Sequence, residues 1–200
     1  MKLIAWDFDG VLNRGFTGGF QMWQQSFEQA LGISAEVFTA YMFAPPRFAQ
    51  VLTGHRDLLD LLADYVAAHD VPHTPAALLG YWLTKDARAD AEVLGWLRAC
   101  NIPGVIATNN ETHRAEFIWT RLEFGSHMQH IFASGRMGIK KPDPAFFRQI
   151  EDWSGLAPAD ILLIDDAEKN IAAAAARGWQ VFHFTDQTRD GLPERLGITP

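Results

Sequence analysis

KLIAWDFDGVLN, running from Lys2 to Asn13, puts an apolar run directly in front of two aspartates. Leu3 to Trp6 shows no polar–apolar alternation, which suits a strand covered on both faces, as in a parallel sheet flanked by helices. Asp7 and Asp9 then stand at the carboxyl end of that strand. A buried carboxylate without a partner is costly and must find a cation. A strand that runs into Asp-Phe-Asp is therefore not shaped by packing alone.

Working outward, three more runs have the same character: GVIAT (Gly104 to Thr108), ILLI (Ile161 to Ile164) and QVFHF (Gln180 to Phe184). Helical spacing is predicted between them, over Asp86 to Ala99, from Pro142 to Trp153, and over the alanine-rich Glu168 to Arg177, which stops at Gly178. Alternating strand and helix predicts an α/β fold with a doubly wound parallel sheet. Residues 14 to 85 break the alternation. After the glycine-rich RGFTGGF (Arg14 to Phe20), helices are predicted at Gln21 to Leu31, Ala35 to Met42, Arg56 to Ala68 and Pro75 to Leu83, with no strand. The predicted division is a core of residues 1–13 and 86–200 interrupted by an α-helical insert, 14–85, with hinges near Gly15, Gly18 and Gly19 and near Thr84.

Three of the four strand runs end in reactive side chains: Asp7, then Thr108 with Asn109 and Asn110, then Asp165 with Asp166. In an open parallel sheet the carboxyl ends of the strands line one crevice, so these residues converge there. Each group alone has a bland reading as a turn or helix cap, and Lys141 alone reads as a solvated lysine. Their joint order makes a site.

Composition excludes several classes. At 48% hydrophobic and 20% charged, the chain of 200 residues carries enough apolar bulk for a sizeable core. A net charge of −7 without basic runs argues against sequence-independent binding to nucleic acid or anionic membranes. The single Cys100 cannot form an internal disulfide or a multi-thiolate metal site and is expected as a buried small hydrophobe. The apolar start is far shorter than the ~20 residues of a membrane span and has no secretory pattern. A cytoplasmic location is expected. His69 and His73 stand four apart, but Pro72 prevents a helix that would align them for a metal. No GxGxxG or GxxxxGK[ST] string occurs, and nothing in the sequence sets an oligomeric state.

WDFDGVLN (Trp6 to Asn13), IATNN (Ile106 to Asn110), GIKKPDPAFF (Gly138 to Phe147) and ILLIDDAEKN (Ile161 to Asn170), in this order, resemble the four motifs of the haloacid dehalogenase-like hydrolase superfamily. The insert resembles the helical cap that one branch carries between the first two motifs. The resemblance implies a phosphatase acting on a small phosphorylated metabolite, sugar phosphates among the candidates, with Mg²⁺ as cofactor. Asp7 would be the nucleophile that forms an aspartyl-phosphate, and Asp9 the general acid and later base. The metal would be held by the Asp7 carboxylate, the Asp9 backbone carbonyl and Asp166, with Asp165 beside it. Thr108, Asn109 and Lys141 would bind the phosphoryl group. Charge supports the set: three aspartates and a monoester of about −2 need Mg²⁺ and Lys141 to lower the repulsion. The last motif departs from other branches by carrying Asn170 where a further carboxylate is usual.

Alternatives differ in chemistry. A 2-haloacid dehalogenase would attack carbon without metal, but halide leaves without a proton and such enzymes do not keep an acid at the position of Asp9. A phosphomutase of the β-phosphoglucomutase type shares every motif and stays open. A receiver-like phosphoacceptor module places its acidic pair after the first strand, whereas here the pair comes last. Phe20, Trp23, Phe43, Arg47, His55 and Arg56 in the insert are the candidates for setting specificity.

Overall fold

In the computed structural model the described residues are 1–14, 16–17 and 20–198, with 16–17 and 20–22 described by backbone alone. The chain runs through β1 (Leu3–Trp6), a short antiparallel hairpin of β2 (Phe16–Thr17) and β3 (Phe20–Gln21), and a 3-10 turn at Met22–Ser26. Five helices follow: α1 (Phe27–Leu31), α2 (Ala35–Met42), α3 (Arg47–Leu52), α4 (Leu58–His69) and α5 (Pro75–Lys85). Strand and helix then alternate through α6 (Ala91–Ala99), β4 (Gly104–Thr108), α7 (Thr112–Glu116), β5 (Ile131–Ala133), α8 (Ser134–Met137) and α9 (Pro144–Ser154). The chain finishes with β6 (Ile161–Asp165), α10 (Glu168–Ala176), β7 (Gln180–His183) and α11 (Leu192–Leu196).

The sheet has the order β5-β4-β1-β6-β7, and every pairing is parallel. Successive residues of a strand point to opposite faces, which explains the unbroken apolarity. Ile4 and Trp6 enter one core cluster with Ile106, Leu162 and Ile164. Leu3 and Ala5 enter another with Val105, Leu163, Phe146 and Phe147. Strand order reverses at β1, whose neighbours β4 and β6 follow it on opposite sides. Such a switch point opens a crevice at the carboxyl ends of the strands, where β1, β4 and β6 deliver Asp7, Thr108 and Asp165.

Helices α1 to α5 gather around a core of their own, in which Trp23, Phe27, Phe38, Tyr65 and Trp82 pack edge to face or tilted. Asp57 accepts from Leu59 N at 2.7 Å and Thr74 from Ala77 N at 3.2 Å, capping α4 and α5. No helix among the described residues is long and apolar enough to cross a membrane.

Several details differ from expectation. A fifth strand, β5, has only three residues, too few for a periodicity signal. The insert contains the β2–β3 pair where no strand was expected, so the helix predicted from Gln21 begins as α1 at Phe27. Helix α3, Arg47–Leu52, lies where no helix was expected. Helix α6 starts at Ala91 because Asp90 caps it, accepting from Glu92 N and Val93 N. Helix α9 starts at Pro144 rather than Pro142, with Asp143 accepting from Ala145 N at 2.9 Å. Cys100 is half-buried against the first core cluster. Gly15, Gly18 and Gly19 lie outside the described residues.

Candidate active site

Lys141 is the electrostatic centre of the crevice. It lies in the loop before α9, is 1% exposed, and places Nζ 2.5 Å from Asp165 Oδ2 and 3.1 Å from Asp7 Oδ1. Burial alone lowers an ammonium, yet the two carboxylates outweigh it and hold Lys141 above its ordinary value. Asn109 fixes the loop: its Nδ2 donates to Lys141 O at 2.9 Å and its Oδ1 accepts from Lys141 N at 2.8 Å. The Asn109 side chain is thus committed to positioning Lys141.

Asp165 is fully enclosed. Both its oxygens accept from Asn170 Nδ2, at 2.9 and 3.1 Å, and Oδ1 also accepts from Ala167 N at 2.9 Å. Asp166 instead exposes its carboxylate toward Gly10, whose φ of +84° suits glycine and where any Cβ would strike the Asp166 carboxylate. Oxygens of Asp7, Asp165 and Asp166 lie within 4.8 Å of one another. Burial first, and then the neighbouring aspartates, push the Asp7 and Asp166 carboxyls up. Three carboxylates facing one lysine fit a hard dication with oxygen ligands. Asp165 is occupied by Lys141 and Asn170, so Asp7 and Asp166 are the better placed pair.

Asp9 faces a different environment. Its Oδ1 accepts from Asn13 Nδ2 at 2.9 Å and Arg114 Nη2 at 2.7 Å, and its Oδ2 from Asn110 Nδ2 at 2.9 Å. Burial raises this carboxyl, but Arg114 and the two amides outweigh burial and hold it below its usual value. Asn110 Nδ2 also donates to Thr108 Oγ1 at 2.7 Å, so the buried Thr108 hydroxyl keeps its own proton free to donate.

The structure thus brings Asp7, Asp9, Thr108, Asn109, Lys141, Asp165 and Asp166 to one crevice. Sequence reasoning missed Arg114 and Asp86. Arg114 sits in the first turn of α7, whose amides at His113 and Arg114 are capped by Glu111 at 2.6 and 2.5 Å, so its guanidinium returns over the strand ends. Asp86 lies just after α5, accepts from Trp82 Nε1 at 2.9 Å and Trp23 N at 3.3 Å, and faces Arg114 Nη1 at 3.4 Å. The placement of Arg114 just after the β4 motif was the only available signal for it.

Burial drives the Asp86 carboxyl from 3.8 up to about 6. The folded state then keeps a proton that the unfolded chain has already lost, so this group's contribution to stability falls between those two pH values and levels above them. Relative to the parent, Asp86→Asn should gain roughly 2 kcal/mol between pH 4 and pH 7 in urea unfolding. A difference that stays flat across that range would contradict this account.

A cavity of about 270 Å³ opens beside Asp9, between the sheet and the helical module. Phe48, Leu52, Leu58, Trp82 and Leu83 line its outer wall, while Asp9, Asn109, Asn110, Glu111 and Arg114 line its inner one, with Asp86 where the two meet. Of the expected specificity residues, Phe20 has no described side chain and the other five do not line this cavity. Trp23 is in the helical core, and Phe43 packs partly buried against it. Arg47 donates to Tyr41 O, His55 pairs with Thr53, and Arg56 pairs with Asp64. Their polar ends found partners within the module instead.

The profile of the haloacid dehalogenase-like hydrolases matches residues 1–178. The chain belongs to that family. Among curated relatives of this haloacid dehalogenase-like chain, a phosphoglycolate phosphatase of Pseudomonas putida is 26% identical over 139 residues, 70% of this chain and 50% of that protein. A sesquiterpene phosphatase of Aspergillus oryzae is 36% identical over 56 residues, 28% of this chain and 29% of that protein. The chain thus spans about half the length, or less, of these curated relatives. A HAD family enzyme of Bacteroides thetaiotaomicron, solved with magnesium and inorganic phosphate, superposes with a TM-score of 0.76 at 15% identity, covering 92% of this chain and 94% of that one. That likeness is one of fold.

Proposed function

We propose that this hydrolase is a Mg²⁺-dependent phosphatase of small phosphorylated metabolites working through an aspartyl-phosphate on Asp7. The observation that carries the reading is the division of labour between Asp7, which shares Lys141 with Asp165, and Asp9, which turns to the neighbouring cavity. Asp7 attacks phosphorus, the bond to the ester oxygen breaks, and Asp9 gives that oxygen its proton. Water then attacks the same phosphorus, Asp9 takes the water's proton, and Asp7 is released. Thr108 donates to the phosphoryl oxygens and Lys141 offsets their charge. Arg114 favours ionised Asp9, which suits the second step. An arriving phosphate dianion opposes that ionisation and returns proton affinity for the first. Asp7, Asp166 and the Asp9 backbone carbonyl would hold Mg²⁺, which supplies positive charge against the three aspartates and the phosphate.

The relatives named for phosphatases and the neighbouring fold solved with magnesium and phosphate support the same reading. So does the helical module, which we read as a cap over residues 14–85, because it has its own core and the cavity lies beneath it. The chain should hydrolyse 4-nitrophenyl phosphate with Mg²⁺, lose that activity in EDTA, and regain it on readdition. Undiminished turnover in excess chelator, or halide release from 2-haloacids without metal, would overturn the proposal.

A further inference from the structure

The cavity beside Asp9 lies on the side of the leaving group, because Asp9 is the residue assigned to the ester oxygen. Its contents must therefore complement the alcohol that departs. Phe48 and Trp82 stack at 5.7 Å and 20°, and the one polar atom of the Trp82 ring is spent on Asp86. With Leu52, Leu58 and Leu83 they present hydrocarbon.

The charged groups on the wall face one another or the backbone. Arg114 pairs with Asp9 through Nη2 and with Asp86 through Nη1, its Nε being buried without a partner, and Glu111 caps α7. Among the described lining residues, the three acids outnumber the one arginine, so the wall repels a second anionic group in the leaving alcohol. Among the described lining residues the one cation, Arg114, already carries two acidic partners.

We infer that the substrate class is a phosphate monoester of a neutral, apolar alcohol. This rests on the phosphatase reading and narrows it away from sugar phosphates and from esters with a carboxylate in the leaving group. An apolar cavity of ~150 Å³ accommodates benzene, so about 270 Å³ takes a substituted aryl ring or a branched aliphatic chain.

The test uses the full chain with Mg²⁺ and ethyl, butyl and hexyl phosphate, whose leaving oxygens are of equal basicity. Each buried methylene should raise kcat/KM ~4-fold, the fold-change of about 0.8 kcal/mol. Hexyl phosphate should then exceed ethyl phosphate by on the order of 10². 2-Phosphoglycolate and glucose 6-phosphate should not exceed ethyl phosphate. Either of them outpacing hexyl phosphate overturns the inference while leaving a phosphatase.

Calorimetric binding of hexylphosphonate against phosphonoacetate reads the cavity without turnover. Tighter hexylphosphonate binding with no hydrolysis of any ester would sink the phosphatase reading and keep the apolar pocket, whereas equal or reversed binding sinks the pocket. Leu52 is half-buried on the wall, so Leu52→Arg should move the kcat/KM ratio toward 2-phosphoglycolate by at least ~10-fold, about 1.4 kcal/mol. An unchanged ratio in the folded variant counts against the assignment.

Discussion

Asp7→Asn should abolish turnover of every phosphate ester and leave the chain folded. Asn keeps the size of Asp and an oxygen that can accept from Phe8 N and Lys141, contacts that Asp7 Oδ1 makes at 2.7 and 3.1 Å. It cannot form the acyl-phosphate, so the loss should reach on the order of 10⁶ for good and poor leaving groups alike, the scale on which removing a covalent nucleophile acts. Stability should move the other way. Burial, with Asp165 and Asp166 nearby, raises the Asp7 carboxyl, so its ionised form is less favoured in the folded than in the unfolded chain. Lys141 keeps its 2.5 Å pair with Asp165 after the substitution. The melting temperature of metal-free Asp7→Asn at pH 7 should therefore equal or exceed the parent's. Residual turnover that depends on leaving-group basicity would place the nucleophile elsewhere, and a lower melting temperature would show Asp7 to be a net stabilising partner of Lys141.

The parts of the site legible in the sequence are those where a strand's end and its reactive side chain are adjacent in the chain. Asp7 follows β1 directly, Thr108 closes β4 and Asp165 closes β6, so apolar runs located the residues and parallel topology brought them together. Asn109 was placed in the site, but its side-chain bonding to the Lys141 backbone depends on a loop 32 residues away. Arg114 and Asp86 were invisible for a related reason. An arginine in THRAE reads as a solvated helix residue, and only the packing of α7 over Asp9 buries it. The insert's helices were readable from their period, but which faces line the cavity follows from how α3 and α5 settle against the core, which no local pattern encodes. Arginines and a histidine look like specificity residues in a sequence, whereas the structure gives those positions partners inside the module and leaves Phe48, Leu52 and Leu83 facing the cavity.

Asp9→Asn should separate the two proposed chemical steps. The variant keeps the backbone carbonyl at this position and one accepting oxygen, but it sets an amide NH₂ among three donors, from Asn13, Asn110 and Arg114. One of those contacts must open, at a cost of about 1–3 kcal/mol, while Arg114 retains Asp86 at 3.4 Å. Attack by Asp7 needs little protonation when the leaving oxygen is a weak base, so an aryl phosphate should still phosphorylate the enzyme. Removing the acid and base costs roughly 10² to 10⁴ in rate, and for an aryl ester that loss falls on hydrolysis of the acyl-phosphate. Rapid quench should then show a burst of nitrophenol near one equivalent followed by a stall, with added phosphate mass on the peptide carrying Asp7. Alkyl phosphates, which need the proton in the first step, should show neither burst nor steady turnover. Hydrolysis of alkyl phosphates at the parent rate would remove Asp9 from the chemistry, and label on Asp165 or Asp166 would reassign the nucleophile.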